Sequence, residues 1–214
     1  MPIFILEDEL TFPPVHLAEP DGLLAIGGDL SPERLLTAYK NGIFPWYEGE
    51  HILWWSPDPR FVIFPDELKI SHSMKQLLKQ HAFDFSVNKA FEKVIHECRI
   101  TKRKGQEGTW ITNAVEKAYC KLHQLGHAIS AEVWKGGELV GGLYGLKIGK
   151  VFCGESMFAR QSNASKYAFI SLVKQLKEEG VQLIDCQVYT EHLESFGARM
   201  IPRSEFISLL KSLA

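Results

Sequence analysis

The chain has 214 residues, 45% hydrophobic and 23% charged, enough to bury a substantial core in one large or two modest domains. A formal net charge of -2 gives no general attraction for nucleic acid, so any RNA contact needs a local basic surface. No run approaches the roughly 18 apolar residues that span a bilayer, acids stand where a secretory signal carries lysines, and Cys98, Cys120, Cys153 and Cys186 are too dispersed for a zinc knuckle or disulfide framework; these features predict a cytoplasmic protein without a metal.

Up to about residue 62 the chain is rich in Pro, Gly and Trp, and its local signals predict one helix over residues 32–41 among loops and short strands. Ser31 is a good N-cap, Pro32 suits the first helical turn, and Gly42 suits the left-handed position beyond the last. Helices are then expected over 73–80 and 88–99, the second with Phe91, Val94, Ile95 and Cys98 on one face. A third, over 113–125, is capped by Thr112 and stopped by Gly126, with Val115, Ala118, Tyr119 and Leu122 facing inward. On this reading three helices precede the sheet.

Three strand-like runs follow, 128–134, 139–148 and 151–157, joined by Gly136-Gly137 and Gly149-Lys150 as hairpins of an antiparallel meander. A helix over 164–179, bounded by Asn163 and Gly180, leads to a strand over 182–188, which makes a β-α-β crossover. A short helix at 191–195, a strand at 198–201 and a helix over 204–213 complete the chain. This order predicts an α+β protein with a small N-terminal domain, residues 1–62, and a C-terminal domain, residues 63–214. The latter resembles the GNAT acetyltransferase fold, with a mixed, mainly antiparallel sheet.

Several segments stand in a fixed order: G-L-L-A-I-G-G-D-L at 22–30, G-I-F-P-W at 42–46, W-W-S-P-D-P-R at 54–60 and E-G-T-W-I-T at 107–112. C-G-E-S-M-F at 153–158, N-A-S-K at 163–166 and L-I-D-C-Q-V at 183–188 follow. Their order and spacing resemble the leucyl/phenylalanyl-tRNA-protein transferase family from about residue 12 to 202. The resemblance implies that Leu or Phe, and less well Met, passes from Leu-tRNA or Phe-tRNA to the N-terminal Arg or Lys of an acceptor protein, marking it for degradation. No cofactor and a monomer are expected.

Such chemistry needs an apolar side-chain pocket, a platform for adenine and a proton acceptor near the attacking amine. Phe169, Leu172, Val173 and Leu176 lie three and four apart on the crossover helix, a pattern that taken alone reads as ordinary core. The resemblance instead makes Phe169, Leu172 and Leu176 line the pocket with Phe152, Ile184 and Leu143, the last replacing a Met of the family. A methylene more or less gives only about 1–3 kcal/mol of discrimination, so leakage to Met is expected.

Trp46 and Trp110 fall on irregular segments where both rings are expected to be exposed, and read either as satellite core or as base-stacking platforms. The resemblance assigns both to the terminal adenosine, whereas Trp54 and Trp55 read as core. Glu155 and Gln187 lie in strands expected at the sheet centre, where an unpartnered carboxylate would be costly. Glu155 is predicted to polarise and position Gln187, which helps remove or relay the amine proton, or both only position the reactants, and the resemblance points to the same two residues. Asp185 is a candidate for the acceptor's cationic side chain, or for a strand-end turn or salt bridge. Lys69, Lys75 and Lys79, with Lys102, Arg103 and Lys104, are candidate contacts to tRNA phosphates, or a solvated face.

Other chemistries fit less well. G-E-S-M-F lacks the second glycine of a nucleophile elbow, and His123 and His127 are not part of H-E-x-x-H. An acetyl-CoA-dependent N-acetyltransferase would need a glycine-rich pyrophosphate loop, but residues 159–165 contain no glycine. A non-catalytic RNA-binding module would use the aromatic and basic residues without needing Glu155 and Gln187.

Overall fold

In the computed structural model, which describes residues 3–101 and 109–214, the N-terminal part builds a four-stranded sheet in the order β1-β2-β4-β3. Its elements are β1 (Phe4–Leu6), β2 (Leu23–Gly27), α1 (Pro32–Lys40), β3 (Phe44–Pro45) and β4 (Leu53–Trp55). Helix α1 starts where its signals place it, with Ser31 Oγ accepting from the Arg34 N–H at 3.3 Å. It ends at Gly42, whose φ of +73° only glycine adopts without strain. Trp54 is fully buried because its one polar atom is satisfied: Nε1 donates to the Gly27 carbonyl at 2.9 Å.

The remaining chain forms a seven-stranded sheet in the order β11-β5-β10-β9-β8-β7-β6. The elements are β5 (Arg60–Ile63), α2 (His72–Lys79), β6 (Asp84–Val87), α3 (Phe91–Ile100), α4 (Asn113–Gln124), β7 (Ala128–Lys135), β8 (Glu138–Ile148) and β9 (Val151–Ala159). They continue with α5 (Ala164–Glu178), β10 (Leu183–Gln187), α6 (Glu191–Glu194), β11 (Arg199–Ile201) and α7 (Arg203–Leu213). All neighbours are antiparallel except β9 and β10, the pair that α5 connects. This is the mixed, mainly antiparallel α+β sheet expected from the sequence. Residues of α1, α3, α4 and α7 bury one face, and those of α2 and α5 bury the other. Among the described residues no helix is long and apolar enough to cross a membrane.

Two strands of this sheet, β5 and β6, come before the meander, so helices alone do not precede it. Helix α3 also starts three residues later than its periodicity predicts. Asn88 adopts a left-handed φ of +59° and its Oδ1 accepts from the Ser130 N–H at 3.0 Å. The helix start is held from the sheet instead: buried Glu132 accepts the N–H groups of Lys89 at 3.3 Å and Ala90 at 3.2 Å.

Three irregularities in the sheet prepare a site. The β8–β9 register moves from Tyr144↔Ser156 to Gly145↔Gly154, leaving Glu155 as an extra residue. The β10–β5 register moves from Asp185↔Val62 to Gln187↔Phe61, leaving Cys186 extra. Between these bulges, β9 and β10 pair only as far as Cys153 and Asp185 and then separate. Bulges re-aim side chains that strict alternation would fix, and these two flank the opening. Gly145 is needed here, since a Cβ on it would stand 2.6 Å from the Phe152 ring and 2.2 Å from the Cys153 carbonyl.

Candidate active site

A cavity of about 700 Å³ fills the gap between β9 and β10. Leu143, Phe152, Met157, Phe169 and Ile184 give it an apolar end, while Phe44, Trp46 and Trp110 wall another side. Glu155 and Gln187 line it as well, where the strands part.

Glu155 receives three donors from separate parts of the chain. Tyr39 of α1 donates to Oε1 at 2.6 Å, Tyr119 of α4 to Oε2 at 3.1 Å, and Gln187 Nε2 to Oε1 at 2.8 Å. The two tyrosine hydroxyls also touch each other, so two phenolic protons serve three oxygen–oxygen contacts. One contact lacks a proton while Glu155 is ionised, and all three are complete once it is neutral. Burial is the largest influence on this carboxyl and raises its pKa to about 7, against the opposing effect of the three donors and with a further push from Asp185. Burial, then the charge of Glu155, lifts both phenols well above their usual range, so they remain protonated donors.

Gln187 is aimed by its backbone. It has a left-handed φ of +64°, a conformation that costs a non-glycine residue on the order of 1 kcal/mol and persists only when its surroundings enforce it. Asp185 supplies part of that enforcement by accepting the Gln187 N–H on Oδ1 at 2.9 Å. Asp185 is itself gripped by buried Arg60, with Nε to Oδ1 at 2.8 Å and Nη2 to Oδ2 at 2.7 Å. The Arg60 guanidinium lies 4.7 Å from the Phe44 ring centroid and 4.6 Å from that of Phe206, and it also donates to the Gly42 carbonyl at 3.2 Å. The end of W-W-S-P-D-P-R thus joins the N-terminal sheet, α7 and the site.

The profile of leucyl/phenylalanyl-tRNA protein transferases matches residues 62–211, and that of their N-terminal domain matches residues 28–58. The chain belongs to this family. The leucyl/phenylalanyl-tRNA–protein transferase of Flavobacterium johnsoniae is 58% identical over 98% of this chain and 100% of its own length. That of Christiangramia forsetii is 57% identical over 97% of this chain and 100% of its own. Among solved structures, a GCN5-related N-acetyltransferase from Kribbella flavida is similar at a TM-score of 0.38 and 11% identity, over 80% of this chain and 61% of that one.

In this transferase chain the cavity gathers Trp46, Trp110, Leu143, Phe152, Glu155, Phe169, Ile184, Asp185 and Gln187 from the sequence-based candidates. Leu172 and Leu176 are not among the residues that line it. Both are 1% exposed in the core beneath α5, because the cavity meets that helix only at Ser165 and Phe169 near its start. Trp46 is 42% exposed, but Trp110 is only 6% exposed and forms wall rather than an open platform. Asp185, in the middle of β10, forms a buried salt bridge with Arg60. Another acid lining the cavity is Glu48, which is exposed.

Lys69, Lys75 and Lys79 are solvent-exposed and do not line the cavity. Lys102, Arg103 and Lys104 lie outside the described residues. Sequence reasoning missed Tyr39, Tyr119 and Arg60 as site residues. Tyr119 was expected to face inward, and a buried tyrosine needs a hydroxyl partner; that need is the signal that leads to Glu155.

Proposed function

We propose that the protein transfers Leu or Phe, and less well Met, from aminoacyl-tRNA to the N-terminal Arg or Lys of acceptor proteins, marking them for degradation. On this reading it acts in the cytoplasm as a monomer without a cofactor, with residues 63–214 as catalytic domain and residues 1–62 as the smaller one. The observation that carries the reading is the Glu155–Gln187 hydrogen bond at the edge of an apolar cavity flanked by Trp46 and Trp110.

The apolar end suits an uncharged side chain, and the tryptophans suit a terminal adenine, with stacking contributing about 1–3 kcal/mol per base. An acceptor amine with a reference pKa of about 7.7–8.0 arrives mostly protonated at neutral pH. The free fraction of that amine attacks, and a carboxyl at about 7, ionised where the amine is free, is matched to take the proton the nitrogen sheds as its bond to carbon forms, while Gln187, with its amide held by Glu155, offers its carbonyl oxygen to orient the amine. The amine attacks the ester carbonyl carbon, the bond to the ribose oxygen breaks, and that oxygen regains a proton within the substrate or from water. With Asp185 held by Arg60, Glu48 is the lining carboxylate that can meet the acceptor's cation.

The test is incubation with radiolabelled Leu-tRNA and a peptide beginning with Arg. Label on the peptide supports transfer. Label held only on bound RNA points to a binding module, and modification dependent on acetyl-CoA points to an acetyltransferase.

A further inference from the structure

Strand β9 pairs with β8 as far as Ala159, but β10 covers its other edge only as far as Cys153. β10 then turns off at Gln187 and the chain passes into α6. Among the described residues no strand takes its place, and Gly154, Glu155 and Met157 line the cavity. A β-strand edge without a neighbour is a template for another extended chain. This one is sheltered, since the cavity walls come from α5, α6 and the Phe44–Pro45 strand.

We infer that this edge of β9 binds the backbone of the acceptor polypeptide as a short parallel strand that continues the line left by β10. The inference rests on the proposed transfer to a protein N-terminus. Direction supports it: β10 runs parallel to β9 and ends at Gln187, so a chain taking over in the same direction begins, with its free amine, beside Glu155 and Gln187. Its next residues then run past Met157.

Division of labour supports it too. The donor's adenine and side chain already have the tryptophans and the apolar end, whereas acceptors of varied sequence share only their backbone. The edge does not suit a nucleic-acid strand, because a sugar-phosphate chain lacks alternating N–H and C=O groups. Its charged side chain, Glu155, would moreover repel phosphate.

The experiment uses the full chain, radiolabelled Leu-tRNA and six-residue peptides beginning with Arg, with one backbone nitrogen methylated at a time from the second residue onward. Parallel pairing engages alternate residues, so methylation at the second or the third residue is expected to raise KM about tenfold, by removing one donor and crowding the edge. Methylation at the fifth or sixth should change KM less than about twofold, and Ala at the second and third positions less than about threefold. A labelled parent peptide whose KM is insensitive to methylation everywhere, or equally sensitive at every position, overturns the inference alone. A parent peptide that takes no label overturns the transfer reading and this inference with it.

Discussion

Gln187 donates its side-chain amide to Glu155 at 2.8 Å across the point where β9 and β10 stop pairing. With the carboxyl pKa at about 7, deprotonated Glu155 and a free acceptor amine coexist only on the alkaline side of neutrality. Below about pH 7, kcat/KM should therefore fall with a limiting slope approaching two, one proton each for Glu155 and the amine. Glu155→Gln should lower kcat by ~10²- to 10³-fold and leave a slope of one. An unchanged profile in the variant would make Glu155 a positioning group, with rate arising from proximity.

The same carboxyl costs stability. Its folded pKa of about 7 lies above the ordinary value of 4.5, so the folded state binds the extra proton and stability falls as pH rises from one value to the other. Above about pH 7 the cost is complete, on the order of 3 kcal/mol, and below about pH 4.5 it vanishes. Glu155→Gln also completes the proton count, since its amide can donate to one tyrosine while the carbonyl accepts from the other and from Gln187. Melting curves should show the variant more stable than the parent at about pH 8 and equal to it at about pH 4.5.

The contrast between Leu172 and Leu143 shows how far helical spacing carries. Leu172→Ala should cost about 2–5 kcal/mol in urea unfolding, because it empties core, and leave the ratio of Leu-tRNA to Phe-tRNA use unchanged. Leu143→Ala lengthens the cavity itself and should shift that ratio toward Phe by about 10-fold or more. A shifted ratio in the Leu172 variant would return that residue to the pocket.

Much of this arrangement was legible in the sequence because it rests on local rules. Ser31 and Gly42 fixed the ends of α1, glycine pairs marked the hairpins, and the β-α-β crossover placed Glu155 and Gln187 in neighbouring strands. What was hidden depends on departures from those rules. Period-2 alternation does not reveal that Glu155 and Cys186 sit at bulges, nor does period 3.6 say that the cavity stops at Phe169 before reaching Leu172. Strand β6 spans only Asp84–Val87 and is closed by Asn88, whose left-handed turn delays α3. Arg60 looked like the end of a motif because its partner, Asp185, lies in the other half of the chain.

Glu48 lines the cavity and is exposed, so its attraction for an acceptor's Arg or Lys is screened by water. Glu48→Gln should raise KM for an Arg-initiated peptide by about two- to fivefold, an effect that shrinks in high salt, with kcat unchanged. Equal KM values in low salt would exclude Glu48 from acceptor recognition.

Arg60 and Asp185 are each 1% exposed, and removing one charge strands the other. Arg60→Met should therefore cost about 3–5 kcal/mol, while Arg60→Met combined with Asp185→Leu should recover most of that loss, since an apolar pair of similar volume is tolerated where an unpaired carboxylate is not. Activity should not recover with it. The Gln187 N–H loses its acceptor in the double variant, and the left-handed backbone that points its amide at Glu155 loses the contact that holds it. Urea unfolding and kcat measured on the same preparations separate the two effects. A double variant that regains both stability and kcat would show that the ion pair serves folding alone.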